Sequence, residues 1–279
     1  MMLRVQKIND EIVKPIPIEL LKDEEKKPVK GAAMLPEIYC NVFALAKKKS
    51  GKTTLFYKMI KDTCDSRTKV YAFVATLNKD KSWVKIKKLC KERNIEFNGF
   101  TSIMDDEGND ILQELVTSLE QEMPEDEEAE MKKKKKASII ICDSDSDDED
   151  EPKKKYKTRV PEYVIIMDDL STELKSKAVT SLLKKNRHFL SKILIGNQYW
   201  NDLSASGRKN LDVMILFGQQ PKNKLLEIHK ELDLSTSFEQ FHEMYKYATQ
   251  DKYNFLYIDV VNEEFRKNFN MKLTIATAV

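Results

Sequence analysis

The chain is short of the residues that build disulfide scaffolds and metal centres. Its four cysteines, Cys40, Cys64, Cys90 and Cys142, lie far apart with no C-x-x-C pair, and its three histidines are His188, His229 and His242. This argues against a disulfide framework and a zinc site, and for a reducing compartment. Long apolar runs are also missing. None approaches the roughly 18 residues of a membrane span, and the first thirty residues carry charges throughout instead of a signal-peptide core. The expectation is a soluble protein that stays inside the cell that makes it, with no membrane partner. Nor does charge of one sign dominate. With 48 basic residues against 46 acidic, the net charge is +2, so any contact with DNA must be local.

What is present is enough for one sizeable α/β core in 279 residues, 41% of them hydrophobic. Residues 1 to 37 mix charges with Pro15, Pro17, Pro28 and Pro36, which forbid a long helix and mark an N-terminal arm, with a short extended piece at Ile16 to Leu20. Residues 38 to 279 read as one domain. Short apolar runs at Tyr39 to Leu45, Val70 to Val74, Tyr163 onward, Lys192 to Gly196, Leu211 to Phe217 and Tyr253 to Val260 predict strands. Helical stretches follow several of them, at Thr53 to Lys61, Lys81 to Glu92 and Asn109 to Leu119, with a short β piece at Ile95 to Phe100. Strand and helix in alternation predict βαβ units and a mainly parallel central sheet flanked by helices.

A charged stretch interrupts this pattern at about 122–160. It contains five consecutive lysines at 132–136, S-I-I-I-C at 138–142, an acidic run from Asp143 to Glu151 and K-K-K-Y-K at 153–157. Too few apolar residues lie in it to offset chain entropy by burial, so a disordered insertion is expected. Ile139 to Ile141 and the acids after them resemble a SUMO-interacting motif, in which a short apolar strand adds to a sheet edge and the acids meet a basic rim. Ser144 and Ser146 have acids three residues downstream, and phosphate there would add charge to that rim. The lysine clusters fit a nuclear-import signal, which favours the nucleus over the cytoplasm.

The chemistry-bearing segments lie at strand ends. A-K-K-K-S-G-K-T, Ala46 to Thr53, matches the phosphate-binding loop G-x-x-x-x-G-K-[ST] except for Ala46 at the first position. In such a loop Gly51 lets the backbone approach phosphate, and the amides of Ser50 to Thr54 converge where a helix begins. Lys52 reaches the β- and γ-phosphates, and the Thr53 hydroxyl ligates Mg²⁺. V-I-I-M-D-D, Val164 to Asp169, is an apolar strand ending in two acids. It offers Asp168 to the magnesium ion and Asp169 to an attacking water, where an ATPase commonly has glutamate. K-I-L-I-G-N-Q, Lys192 to Gln198, ends in amides, and Asn197 or Gln198 is suited to bond the γ-phosphate or the lytic water. Candidate DNA contacts are Lys184, Lys185 and Arg187, on what reads equally as a solvated charged face. Trp83, Tyr199 and Trp200 read as core or interface residues.

The order of these pieces, with G-R-K-N-L-D-V-M-I-L-F after them, resembles the poxvirus-type genome-packaging ATPases of the FtsK/HerA superfamily, above all the versions in Polinton/Maverick elements and adintoviruses. The resemblance covers about residues 38–220 without the insertion. It implies a RecA-like P-loop core with ATP and Mg²⁺ as cofactors. It also implies a homo-oligomeric ring, hexamer or pentamer, that drives double-stranded DNA into a capsid, with capsid proteins as partners. By resemblance Lys52 and Thr53 form the Walker A pair, Asp168 and Asp169 the Walker B pair, Gln198 is the sensor, and Arg208 is a finger acting in a neighbour's site. The departures at Ala46 and Asp169 bear on hydrolysis more than on nucleotide binding. A helicase, a DNA-partition ATPase and a nucleotide-binding assembly protein with little turnover remain open.

Overall fold

The computed structural model describes residues 27–121 and 157–274. Residues 122–156 of the expected insertion, with the SUMO-like motif and most of its lysine clusters, fall outside the described residues, as does the extended piece at 16–20; the last residues of that stretch, 157–160, are described, and Arg159 N–H donates to Pro28 O at 2.9 Å.

Four of the parallel strands are buried along their whole length: β1 (Asn41–Leu45), β4 (Tyr163–Asp168), β5 (Ser191–Asn197) and β6 (Val213–Phe217). Their near-continuous apolar sequence suits strands covered on both faces of a parallel sheet. With β2 (Lys69–Val74) and β3 (Glu96–Phe100) they form the parallel part of a nine-stranded sheet ordered β3-β2-β4-β5-β1-β6-β7-β8-β9. The last three strands, β7 (Phe255–Asp259), β8 (Glu264–Lys267) and β9 (Met271–Leu273), run antiparallel to their neighbours. The architecture is therefore the α/β one that the alternation of strand and helix predicts, extended at one edge by a hairpin that it does not predict.

Side chains alternate between the sheet's two faces, as the period of two requires. Val42, Ala44, Val164, Ile166 and Leu194 face a layer made by α1 (Lys52–Thr63) and α2 (Lys81–Glu92), which contributes Phe56, Met59, Trp83 and Ile86. Phe43, Leu45, Ile165, Met167, Ile193 and Ile195 face the other layer. That layer consists of α3 (Ile111–Gln121), α4 (Lys177–Lys185), α6 (Lys222–Glu231) and α7 (Phe238–Ala248). A four-residue helix, α5 (Ala205–Arg208), precedes β6. Side-chain oxygens mark several helix starts: Asp80 accepts from Ser82 N at 2.7 Å, Asp110 from Gln113 N at 2.8 Å, and Ser237 with Gln240 forms a reciprocal capping box. Each such cap contributes about 1 kcal/mol.

Some boundaries move for visible reasons. The strand expected from Leu211 begins at Val213, because the Asp212 carboxylate turns to accept the Asn41 backbone N–H at 2.7 Å. In the described part of the N-terminal arm, Met34 and Leu35 are buried on the α1–α2 side, and Val29 bridges Arg159.

One topological fact positions the site. β5 is inserted between β1 and β4, with Leu45 opposite Asn197 and Asp168 opposite Gly196. The carboxyl ends of three strands far apart in sequence thus meet at one edge of the sheet.

Candidate functional site

The loop after β1 carries three exposed lysines, Lys47 to Lys49, and then turns sharply into α1. Left-handed backbone falls on Lys49 (φ 64°) and on Gly51 (φ 102°), the residue that opens the helix. Glycine is needed at the second of these. Ala46 is outside the left-handed region; it is fully buried, with its N–H donating to Asn197 O at 3.0 Å. Alanine therefore fits where the common form of the loop has glycine. Among the described residues no side chain caps the start of α1, and its first turn holds no acid. Its first amides lack intrahelical partners, and the helix dipole favours an anion there.

Lys52, on the first turn, is 8% exposed and lies between the two acids that end β4. Its Nζ is 2.9 Å from Asp168 Oδ1 and makes a second, very short contact with Asp169 Oδ1. Asp169 has left the strand in a left-handed conformation (φ 55°), with its N–H bonded to Gly196 O at 2.9 Å. Gln198 Nε2 reaches the same Asp169 oxygen at 3.5 Å. Asn197, the other amide considered, turns aside and donates to Asp202 Oδ2 at 2.9 Å. Lys52, Asp168, Asp169 and Gln198 therefore come together at one point, with Ser50, Gly51, Thr53 and Thr54 on the adjoining loop and helix turn.

Two residues that sequence reasoning passed over hold this cluster in shape. Gly196 is one: a Cβ there would come within 2.6 Å of Lys52 Cδ, 2.7 Å of Phe56 Cζ and 2.9 Å of Asp168 Oδ1. The lysine stem can cross β5 because that residue has no side chain. Trp83 is the other; it is fully buried on α2, and its Nε1–H donates to Asp168 Oδ2 at 3.3 Å. The glycine within an apolar strand was a usable sign of close approach, whereas nothing near Trp83 in sequence points to a carboxylate 85 residues away.

Burial pushes the Asp168 carboxyl up to about 6 and the neighbouring Asp169 adds to this, against the attraction of Lys52 and the Trp83 hydrogen bond. A buried carboxylate beside a like charge gains from a cation. Asp168 Oδ1 makes no directed hydrogen bond among the described residues, and with the Thr53 hydroxyl it supplies hard oxygen donors. These fit a magnesium ion that takes its other ligands from phosphate and water. No group of three or more His, Cys, Asp or Glu stands ready to cage a metal among the described residues.

Arg208 is not at an open edge. Its Nε and Nη2 both bind Glu231 Oε1 at 2.8 Å, its Nη1 bonds Leu203 O, and the guanidinium stacks over Trp200 at 5.3 Å. Trp200 Nε1 closes the arrangement on Glu231 Oε2 at 2.6 Å. In this arrangement the guanidinium is held entirely by groups of its own chain. Of the candidate DNA contacts, Lys185 pairs with Glu120 at 2.7 Å and Arg187 lies 3.9 Å from Asp212. Trp83 and Trp200 are core residues as expected, while Tyr199 is 68% exposed.

A known structure shares this fold. The genome packaging NTPase B204 of Sulfolobus turreted icosahedral virus 2, solved in complex with AMP, superposes with a TM-score of 0.50 at 17% identity, over 86% of this chain and all of that one. The DNA-packaging ATPase B204 of Sulfolobus turreted icosahedral virus gives 0.49 at 20% identity, over 81% and 95% of the two chains. The cytoplasmic domain of the type VII secretion ATPase EccC of Thermomonospora curvata gives 0.41 at 13% identity, over 78% of this chain and 24% of that one. No family model matches the chain, and no curated protein matches it significantly. Among the described residues no helix is long and apolar enough to cross a membrane.

Proposed function

We propose that this chain is a P-loop NTPase of the genome-packaging kind, which hydrolyses ATP to move double-stranded DNA into a capsid. The observation that carries this reading is the junction of Lys52, Asp168, Asp169 and Gln198 beside a helix start that no described side chain caps. A triphosphate on the amides from Gly51 to Thr54 takes Lys52 away from its two carboxylates. Asp168, with Thr53, would then be free to hold a magnesium ion, and such an ion would supply positive charge against the phosphates. Asp169 is released to orient the attacking water, and Gln198 stands between it and the terminal phosphate. B204 is a genome-packaging NTPase with this fold, and that favours packaging over the helicase and partition readings. A homo-oligomeric ring, capsid partners, an origin close to the Polinton/Maverick versions, SUMO binding through Ile139 to Ile141 and assembly in the nucleus belong to the same reading.

The test is a pair of variants. Lys52→Ala abolishes binding of a fluorescent nucleotide, whereas Asp169→Asn keeps ATP bound and stops its turnover. Equal affinity of Lys52→Ala and wild type sinks the site assignment. Stimulation of hydrolysis by duplex DNA marks a motor. Tight ATP binding with turnover that DNA does not raise marks an assembly protein instead.

A further inference from the structure

A cavity of about 970 Å³ opens along the flank of α1, next to the phosphate-binding loop. One wall is a single helix face, Gly51, Thr54, Leu55 and Lys58; the other is Phe217 at the end of β6 and the turn at Tyr253–Asn254 that leads into β7. The loop and the cavity share Gly51: a Cβ there would sit 3.4 Å from Tyr253 Cδ1 and 3.8 Å from Phe217 Cε1. A triphosphate seated on the first amides of α1 has its reactive end fixed by Lys52, Asp168 and Asp169 at the strand tips. The rest of the molecule must leave on the other side, and the space there is this cavity, whose volume is in the range of small-molecule sites.

Tyr253 is unusual in two respects. It is a large aromatic ring left 57% exposed, and its backbone is left-handed at φ 71°. A bulky residue seldom takes that conformation, and such strain tends to gather at ligand clamps. The asparagines behind it are occupied with one another: Asn268 Nδ2 donates to Asn254 Oδ1 at 3.0 Å, Asn254 Nδ2 to Asp251 Oδ2 at 3.1 Å, and Asn268 Oδ1 accepts from Phe255 N at 3.2 Å. Lys58 is paired with Asp62. The cavity thus offers an aromatic rim and an apolar back, and four of its polar side chains, Lys58, Asp62, Asn254 and Asn268, are already committed.

We propose that the nucleoside half of the nucleotide lies in this cavity with Tyr253 stacked on the base, and that the site accepts adenine and guanine alike. The inference rests on the phosphate-site reading above and adds the place and selectivity of the base. Stacking is tolerant because every base has a π-face, whereas discrimination needs hydrogen bonds aimed at the base edge.

The experiment titrates Mg-ATP, Mg-GTP and inorganic tripolyphosphate by calorimetry against the full chain and its Tyr253→Ala, Tyr253→Phe and Lys52→Ala variants. Exposure of Tyr253 means that the alanine variant keeps its fold, which a thermal melt verifies. Wild type binds ATP and GTP with similar affinity. Tyr253→Ala weakens both nucleotides by about tenfold or more and leaves tripolyphosphate unchanged, and Tyr253→Phe retains wild-type binding. Unchanged ATP affinity in Tyr253→Ala, or an equal loss for tripolyphosphate, overturns the cavity assignment. If Lys52→Ala still loses both ligands in that case, the phosphate site stands and the failure belongs to the cavity alone. Retention of ATP by Lys52→Ala brings down both. A preference of about a hundredfold for either purine, worth roughly 2.7 kcal/mol, overturns the claim that the base edge goes unread.

Discussion

Lys52 and Arg208 are both largely buried cations held by carboxylates, with side-chain exposures of 8% and 12%, but their surroundings differ in kind. Around Arg208 the groups match. Glu231 spends one oxygen on the guanidinium and the other on the Trp200 indole, and the arginine's remaining fork meets a backbone carbonyl and an aromatic face. Around Lys52 one cation faces two carboxylates, one of them driven up to about 6 by burial, on a backbone left-handed at Lys49, Gly51 and Asp169. A matched pair loses by any exchange of partners, so it serves as a brace. An overcrowded one gains when a phosphate takes the lysine and a metal ion takes a carboxylate, so it is suited to a ligand.

The largest effect is expected at the brace. Arg208→Ala leaves Glu231 partly buried against Trp200 without its cation, and should cost about 3 kcal/mol in urea denaturation. Arg208→Lys should recover little of this, since an ammonium cannot reproduce the fork. The contrary result would have a specific shape. If Arg208→Ala keeps its stability and ATP affinity, loses turnover, and regains activity when mixed with Lys52→Ala, then Arg208 leaves its cage in the assembly and acts in the neighbouring site. That outcome would erase the contrast between the two cations.

The next effect reads the crowded site through pH. Asp168 has its pKa raised on folding, so between the ordinary carboxylate range near ~4 and its folded value of about 6 the folded protein holds a proton that the unfolded chain has released. Stability contributed by this group is therefore present at low pH and lost as pH rises through that window. In metal-free buffer, wild type minus Asp168→Asn should show a fall on the order of 2 kcal/mol between the two values, levelling off above. A difference curve that is flat, or that rises with pH, would mean that Lys52 already satisfies both acids and that the site is as matched as the brace.

These sites were legible in the sequence to different degrees. The loop from Ala46 to Thr53 and the acids at Asp168 and Asp169 could be placed at strand ends because their positions follow from local pattern: an apolar strand, then a turn or a pair of acids. The sheet was legible for the same reason at β1, β4, β5 and β6. The β8–β9 hairpin was not, since Glu264–Lys267 is short and charged and is held by pairing to β7 more than by an apolar run. Arg208 could be located but its surroundings could not, because Glu231 approaches from another helix. Gly196 and Tyr253 gain their significance from the approach of Lys52 and Gly51 across the fold; a glycine inside an apolar strand hints at such a crossing, but nothing in the sequence says which side chain makes it.

The smallest expected effect concerns Trp83, which ties the crowded site to the core. Its Nε1–H is the neutral donor on Asp168 Oδ2, while Lys52 holds the other oxygen electrostatically. Trp83→Phe keeps an aromatic ring in the α1–α2 layer and removes that donor, so the loss of stability at neutral pH should be about 1 kcal/mol beyond what the smaller ring costs in packing. The hydrogen bond favours the charged carboxylate, so its removal should shift the Asp168 transition to higher pH and leave the Arg208 cage untouched. A packing defect alone would lower the whole stability curve without moving its midpoint. Measuring wild type and Trp83→Phe across the same pH series, each against its own Asp168→Asn partner, separates the two. A midpoint that stays in place would show that Trp83 supports the site only by filling space.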